Sequence, residues 1–550
     1  MTGRRGWFSW HGRMMTVLVA VFLTAGGTCL PALADDSGGQ TGPQGFPTGL
    51  SLRSIVSGEG APGKHHPTKP LRPDWGPRQW AQEGGGETRN PFFAAPSSGK
   101  KTGRISRGLA TFPPPAEGEA SFGLTPRGAP APVEWERDFG ATPLAALDYR
   151  FAHQPVLVRG RLLVSSTRGQ VLCLDAMTGT TLWHVRLPES VRASGVADES
   201  AFYVASGTPY VTAPHMMGYA QTRAIRRGSG PGHLYALSLL SGKILWSAPV
   251  PGPALGSPVL ADGKIWVATG NGHLAGYSTT GERKVVDMPL FSSAGWSSPL
   301  YVHHWVWLSL EGPTKLVALW PEKKRTVWAL TTPPAERLVL FSPTPAFGAM
   351  RLVTLLLSVD KGVPHERLAI ASAVTGHLFH EIPFAGNADA VAPEKALPSD
   401  LPSFARVYEG QSGPVVAGQT AVAASPILNR ALAADIPSGH LFWSLGLPSA
   451  PSGSGTVAGL LYLLPLQDRL LEIDFGSGRI LAERSLDGEP APGSPPVMET
   501  TLYLSETNGR IRAVSLEKER KRIFPPASAP ALPEGRPDGQ RPRTDAGDGR

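Results

Sequence analysis

Two cysteines in 550 residues leave this chain almost nothing to cross-link with. Cys29 lies within the N-terminal signal-like segment and Cys173 in a β-like stretch, so the fold must rest on packing rather than on a disulfide framework. Cys173 on an apolar strand reads as a small core residue, not a reactive thiol. A membrane-length apolar run is missing at the front: Met14 to Ala25 is short for a span, and Gly26, Gly27 and Pro31 break the chain beyond it. Arg4, Arg5 and Arg13 precede that run and Ala32-Leu33-Ala34 stands before Asp35, so residues 1–34 read as a cleavable secretory signal. An uncleaved anchor is the alternative. The charge excess of a nucleic-acid binder is absent too. Of the formal net charge of +8, the signal's three arginines supply +3, and the tail from Glu517 to Arg550 is nearly balanced.

Regular periodicity is lacking from two stretches. Residues 35–132 are rich in Gly, Pro, Ser and Gln, with Gly84-Gly85-Gly86 and Pro113-Pro114-Pro115, and residues 519–550 are rich in Pro and Arg. Both are expected to be disordered, because they hold too little apolar surface to offset ordering entropy. Trp75 to Trp80 and Asn90-Pro91-Phe92-Phe93 are candidate docking motifs within the first stretch; a flexible tether is the simpler reading.

What the chain does have is a repeat. Asp175-Ala176-Met177-Thr178-Gly179-Thr180-Thr181-Leu182-Trp183 recurs as Leu240-Ser241-Gly242-Lys243-Ile244-Leu245-Trp246 and as Pro437-Ser438-Gly439-His440-Leu441-Phe442-Trp443. Weaker copies surround Gly376, where Phe379 stands near the Trp place, and Gly281 and Gly478. Each is a Gly turn leading into a strand entered by an apolar pair and often closed by Trp. Gly242 to Gly281, Gly439 to Gly478 and Gly478 to Glu517 are each 39 residues apart, whereas Gly179 to Gly242 is 63. The excess falls on the polar stretch Thr208 to Pro231, which reads as a loop insertion. A strand-only unit with a period near forty residues points to propeller blades. Gln154-Pro155, Gly195-Val196, Ser257-Pro258, Ser298-Pro299, Ser342-Pro343, Gly413-Pro414, Gly455-Thr456 and Ser494-Pro495 mark eight approaches to an innermost strand. The expected fold is therefore an all-β, eight-bladed propeller of four-stranded antiparallel blades over residues 133–518. The Trp-bearing strand near Trp135 would supply the outer strand that the last blade lacks, closing the ring.

These repeats resemble the pyrroloquinoline-quinone-type repeat, on Gly160-Arg161-Leu162-Leu163-Val164-Ser165, Gly263-Lys264-Ile265-Trp266-Val267 and the Gly-x-x-Leu-Trp turns. That repeat is found in quinoprotein alcohol dehydrogenases and in the outer-membrane-protein assembly factor of the B type. The resemblance to the first implies an axial site for pyrroloquinoline quinone with calcium. It also implies a vicinal disulfide or, in some members, a CxxCH haem site, and this chain has neither sequence. Resemblance to the second implies an exported scaffold, in the periplasm or at the cell surface, with envelope proteins as partners. Such factors are commonly lipoproteins, but Thr28 before Cys29 departs from that pattern. Membrane association is expected only through a partner or through Cys29, and the protein is expected to be a monomer.

Candidate chemistry is sparse. No catalytic residue and no resident cofactor or metal is expected. His215-Met216-Met217 in the insertion suits a soft metal by ligand type, with loop packing as the plainer reading. Arg223, Arg226 and Arg227 suit an acidic partner if that loop is exposed. His303-His304 is expected inside a strand, its side chains on opposite faces. The two function readings are a non-enzymatic interaction scaffold and a quinone-dependent or other ligand-binding enzyme working in the axial funnel.

Overall fold

The computed structural model describes residues 92–93 and 131–523, apart from 209–223, 229, 231, 282–283, 313, 332–338, 361–362, 385–405 and 408–412. The expected signal, most of the tether and residues 524–550 lie outside the described residues.

Short apolar runs separated by short turns pair with their neighbours in order, and the result is eight antiparallel blades. Blade 1 is Val156–Val158, Arg161–Ser165, Gln170–Asp175 and Thr181–Arg186, from innermost to outermost. Blades 2 to 7 start at Val196, Val259, Leu300, Ala346, Val415 and Thr456. Blade 8 takes Val497–Met498, Thr501–Ser505 and Arg510–Ser515 from the end of the chain, and its outermost strand, Val133–Asp138, from the beginning. Val133 lies opposite Val514 and Asp138 opposite Arg510, so the ring closes as the repeat pattern demands. The insertion after Thr208 falls between the second and third strands of blade 2, Ala201–Ala205 and Gly232–Ser238.

The first strands of successive blades approach one another, which places them around the axis. The chain enters several of them through a serine or threonine, and these residues stitch neighbouring blades together. Ser257 N donates to Ser298 Oγ (2.9 Å), Ser298 N to Thr344 Oγ1 (3.1 Å) and Gly413 N to Ser454 Oγ (2.8 Å). A backbone group that turns into a short strand has no ladder partner, and a hydroxyl from the next blade supplies one.

Farther out, the repeat turn does the same work with a larger side chain. Asp175 Oδ1 accepts from the N–H of Met177 (3.1 Å) and of Thr178 (2.9 Å), which folds the turn, and Gly179 follows at φ 67°. A Cβ on Gly179 would lie 2.5 Å from the ring of Trp135 in the preceding blade, so the glycine exists to let that indole lie flat on the backbone. The indole N–H of Trp135 then donates to Ala176 O (2.9 Å). Trp183 covers Gly242 and donates to Leu239 O (3.0 Å); Trp328 covers Gly376 and donates to Ala373 O (3.0 Å); Trp443 covers Gly478 and donates to Phe475 O (2.9 Å). In the fifth such contact the ring over Gly439 is that of His380, whose Nε2 lies 3.0 Å from Pro437 O. His380, not Phe379, therefore takes the Trp place in blade 5.

The pattern lapses at three interfaces. Gly281 has nothing within 4 Å of a would-be Cβ, and Trp246 is only half-buried. Between blades 3 and 4, Trp266 is fully buried and stacks on Tyr301 (5.9 Å, 20°) instead. In blade 7 Ala482, opposite Glu472, holds the position of the indole.

Two further features depart from expectation. His303 and His304 are not in a strand: with φ of 47° and 68° they form the two-residue turn between Leu300–Val302 and Trp305–Ser309. Paired left-handed residues give the turn a twist that matches its strands. Past residue 518 the chain continues into a helical turn, Arg520–Ile523, with Ile523 buried and Leu460 N donating to Arg522 O (3.0 Å).

The indole contacts yield a graded stability test. Trp183→Ala and Trp443→Ala are expected to cost about 3–5 kcal/mol each. Trp246→Ala should cost clearly less, having no glycine beneath it. Gly179→Ala should lose at least the ~1–2 kcal/mol of a left-handed alanine, whereas Gly281→Ala should be nearly silent. Denaturant titration of the five variants checks the order.

Candidate functional site

The repeat residues singled out by sequence (Asp175, Thr178, Gly179, Trp183, Gly242, Gly376, Gly439, Trp443 and Gly478) lie in the interblade contacts of indole or imidazole on glycine, and Trp246 and Gly281 occupy the same positions without closing one. His215, Met216, Met217 and Arg223 lie outside the described residues. The returning arm of the insertion, Ala224 to Gly228, crosses blade 3 toward blade 4. Ile225 N donates to Ser292 Oγ (2.7 Å), Ser293 N to Ile225 O (2.8 Å) and Arg227 N to Gly270 O (2.7 Å).

That arm carries Arg227 inward. Its side chain is 5% exposed and meets the fully buried Glu311 in a two-pronged ion pair, Nε to Oε2 and Nη2 to Oε1, both 2.8 Å. Arg227 thus anchors the insertion to blade 4 and does not face a partner. Arg226 reaches Leu290 O (3.3 Å), and burial pulls its guanidinium below its ordinary range. Beside the Arg227 pair, desolvation pulls the Lys315 ammonium down to about 8, opposed by Glu311.

A second polar set is not visible in the sequence as a motif. In the third strand, a polar or cationic residue bonds the residue fourteen places on in the outermost strand. Gln170 meets His184 (2.6 Å), His273 meets Asp287 (2.9 Å), Arg367 meets Glu381 (2.6 Å) and Arg430 meets Ser444 (3.3 Å). Arg469 meets Glu483 in the same way, and in blade 8 Arg510 meets Glu136 (3.2 Å) across the ring closure. The spacing of fourteen is the sequence signal; it is hidden because the chemistry changes from blade to blade while the geometry stays.

The remaining buried acids stand apart from one another. Glu472 pairs with Arg484, Glu506 with Arg512 (3.1 Å), and Glu366 accepts from Ser425 Oγ. Burial pushes the Glu366 carboxyl up to about 8, only partly opposed by Ser425, and pushes Glu506 up against the pull of Arg512 and Arg510. On the opposite, turn-bearing side, Asp262 accepts from Tyr301 OH (2.6 Å) and lies 3.3 Å from His304 Nδ1. His304 holds Asp262 down to about 2, against burial, while Asp262 raises His304. Among the described residues no three His, Cys, Asp or Glu side chains gather as metal ligands would. The innermost strands, Val-Leu-Val in blade 1 and Val-Val-Ala in blade 6 for example, bury their apolar side chains in the hydrophobic clusters of the ring.

The family model described as outer membrane protein assembly factor BamB matches residues 132–215 and 211–337, the closing strand and blades 1 to 4. The repeats over residues 132–337 match that model, and the fold they belong to is an eight-bladed β-propeller. Tetrathionate hydrolase of Acidithiobacillus ferrooxidans is 21% identical over 380 residues, covering 67% of this chain and 73% of that protein. Outer membrane protein assembly factor BamB of Yersinia pestis is 28% identical over 156 residues, 28% of this chain and 37% of that protein. Of solved structures, BamB from Moraxella catarrhalis aligns with a TM-score of 0.47 and 15% identity, covering 70% of this chain and 99% of that one. Quinohemoprotein alcohol dehydrogenase from Comamonas testosteroni aligns with 0.49 and 12%, covering 81% and 82%.

Glu366 gives a pH test with a defined sign. Its folded value, about 8, lies above the ordinary 4.5, so the fold prefers the protonated carboxyl. The stability it contributes is complete below about pH 4.5 and declines as pH rises toward 8. Glu366→Gln should remove that decline, melting higher than wild type at pH 8 and close to it at pH 4.5; thermal melts across the window check this.

Proposed function

We propose that this propeller is an exported, non-enzymatic protein-interaction platform of the cell envelope, with outer-membrane protein assembly as its most specific role. The observation that carries the reading is a run of exposed apolar side chains: Met177, Leu182, Leu240, Leu245 and Val285 are exposed along the repeat turns and outer strands of blades 1, 2 and 3, with Leu240 at 76% and Leu245 at 53%. Apolar side chains repeated along a rim are what a protein partner covers. The assembly-factor model matches this same part of the ring. The arginines and apolar run of residues 1–34 supply the export half of the reading.

A ligand-binding enzyme is the second reading, favoured by the longer alignment with tetrathionate hydrolase. Thermal stabilisation by tetrathionate, or by pyrroloquinoline quinone with calcium, would support it, since a ligand of the folded state must raise stability.

The platform reading is tested by affinity capture from envelope extract, with wild type against Leu240→Asp/Leu245→Asp. Both positions are exposed, so the variant should melt like wild type and yet lose at least tenfold in recovered envelope proteins. Equal recovery by the two would remove this rim as the interface, and no specific recovery by either would remove the function.

A further inference from the structure

Blade 7 has something no other blade has among the described residues: a fifth strand. Phe92–Phe93 runs parallel to the innermost strand, Thr456–Ala458, with Phe92 opposite Val457 and Phe93 opposite Ala458. It also lies against Val415–Ala417, the innermost strand of blade 6. Since innermost strands surround the axis, this segment sits at the channel. Propeller geometry does not call for it: the other seven innermost strands carry no added strand among the described residues.

The sequence accounts for the segment's brevity. Asn90-Pro91-Phe92-Phe93-Ala94-Ala95-Pro96 sets two aromatic β-formers between prolines, which cannot donate to a ladder. The stretch from Phe93 to Ala131 can reach roughly 125 Å when extended, so no short connection forces the pairing. A propeller's innermost edge presents unpaired N–H and C=O groups, and an edge of that kind is a template for any extended chain. Adding a strand gains affinity from the backbone and selectivity from alternate side chains. Two residues of ladder make a weak contact, held in place by the high effective concentration that a tether confers.

We propose that the axial edge of Thr456–Ala458 is a strand-acceptor site, that the chain's own Phe92–Phe93 segment occupies it in cis, and that an extended apolar peptide of a partner takes it by displacing that segment. This rests on the platform reading and gives it a mode of binding. The segment is then a built-in competitor, and the channel opens to a peptide only when one arrives that pairs over more residues.

The test uses the full chain with Cys29→Ser. Phe93→Cys with Ala458→Cys, on blade 7, is oxidised beside Phe93→Cys with Ala261→Cys, on blade 3. The 93–458 link should form at least tenfold more than the 93–261 link, and equal yields, or none, would overturn the cis contact. A labelled peptide of sequence Asn90 to Pro96 is then titrated onto the wild-type chain and onto Phe92→Asp/Phe93→Asp. Phe93→Pro, which cannot donate to a ladder and adds no charge, serves as a second variant. The peptide should bind both variants at least tenfold more tightly than wild type; equal affinity, or no binding, would overturn the acceptor site. Neither arm uses an envelope partner. Failure here with envelope capture intact therefore faults this inference alone, and the reverse outcome faults the platform reading alone.

Discussion

The ring depends on an aromatic ring laid over a glycine. A closed propeller without disulfides has only the faces between blades to hold it, and those faces diverge with distance from the axis. Near the axis, serine and threonine hydroxyls bridge neighbouring blades directly. Farther out the gap is wider, and the indole fills it, burying a large flat area while its N–H finds its partner in a carbonyl of the next turn. The glycine is indispensable twice over. Only glycine adopts the left-handed backbone of that turn without strain, and only the missing Cβ lets the indole approach. Because Trp135 precedes blade 1 in the chain and completes blade 8, the same contact also fastens the ring shut.

Where the contact is missing, the substitutes show what it was for. Blades 3 and 4 meet through Trp266 and Tyr301, which fill the gap from the second and first strands rather than from the outermost one. Gly276, opposite Trp266 in the sheet, makes room for it: its would-be Cβ falls 2.8 Å from that ring. Blade 5 replaces indole with imidazole and keeps the hydrogen bond to the next turn. Blade 7 gives up the aromatic altogether and buries Glu472 with Arg484. A buried ion pair of this kind adds little net stability over apolar packing, though removing one partner alone is costly. The ring tolerates it because the contacts on either side are intact.

Much of this is legible in the residues because the geometry admits few residue types. A turn at φ near 70° under an indole writes Gly and Trp into the sequence at a fixed interval, and an unpaired first-strand residue permits Pro. Eight blades, the insertion and the closing strand follow from those two signals. His303-His304 misleads because the turn it forms is written as Arg159-Gly160 in blade 1 and Asp262-Gly263 in blade 3, and only its position five residues after Ser298 reveals the equivalence. Arg227 misleads because a loop arginine looks solvated until Glu311, eighty-four residues away, is seen to meet it. The pairs fourteen apart stay hidden for a related reason. Any two groups that bond across adjacent strands will serve, so chemistry does not repeat even where position does. Contacts that restrict residue type show in one sequence, and contacts that restrict only complementarity do not.

That distinction bears on function as well. In an outer strand successive side chains point to opposite faces, so the residue before each interblade indole must point away from the neighbouring blade. Leu182 stands before Trp183 and Leu245 before Trp246; Val285 and Phe379 hold the equivalent place in blades 3 and 5, and all four are exposed. In blade 8 the corresponding residue, before Trp135, is Glu134, which bonds Thr501 Oγ1. The position thus holds a charged side chain in blade 8. In blades 4, 6 and 7 the residue at this place, Val327, Phe442 or Leu481, packs partly against the core, and Phe379 lies under the Arg351 guanidinium, whereas Leu182, Leu245 and Val285 stay exposed. In blades 1 to 3 this outward half of the apolar pair is the part of the repeat that the interblade contacts leave exposed, and it is there that the proposed platform would meet a partner.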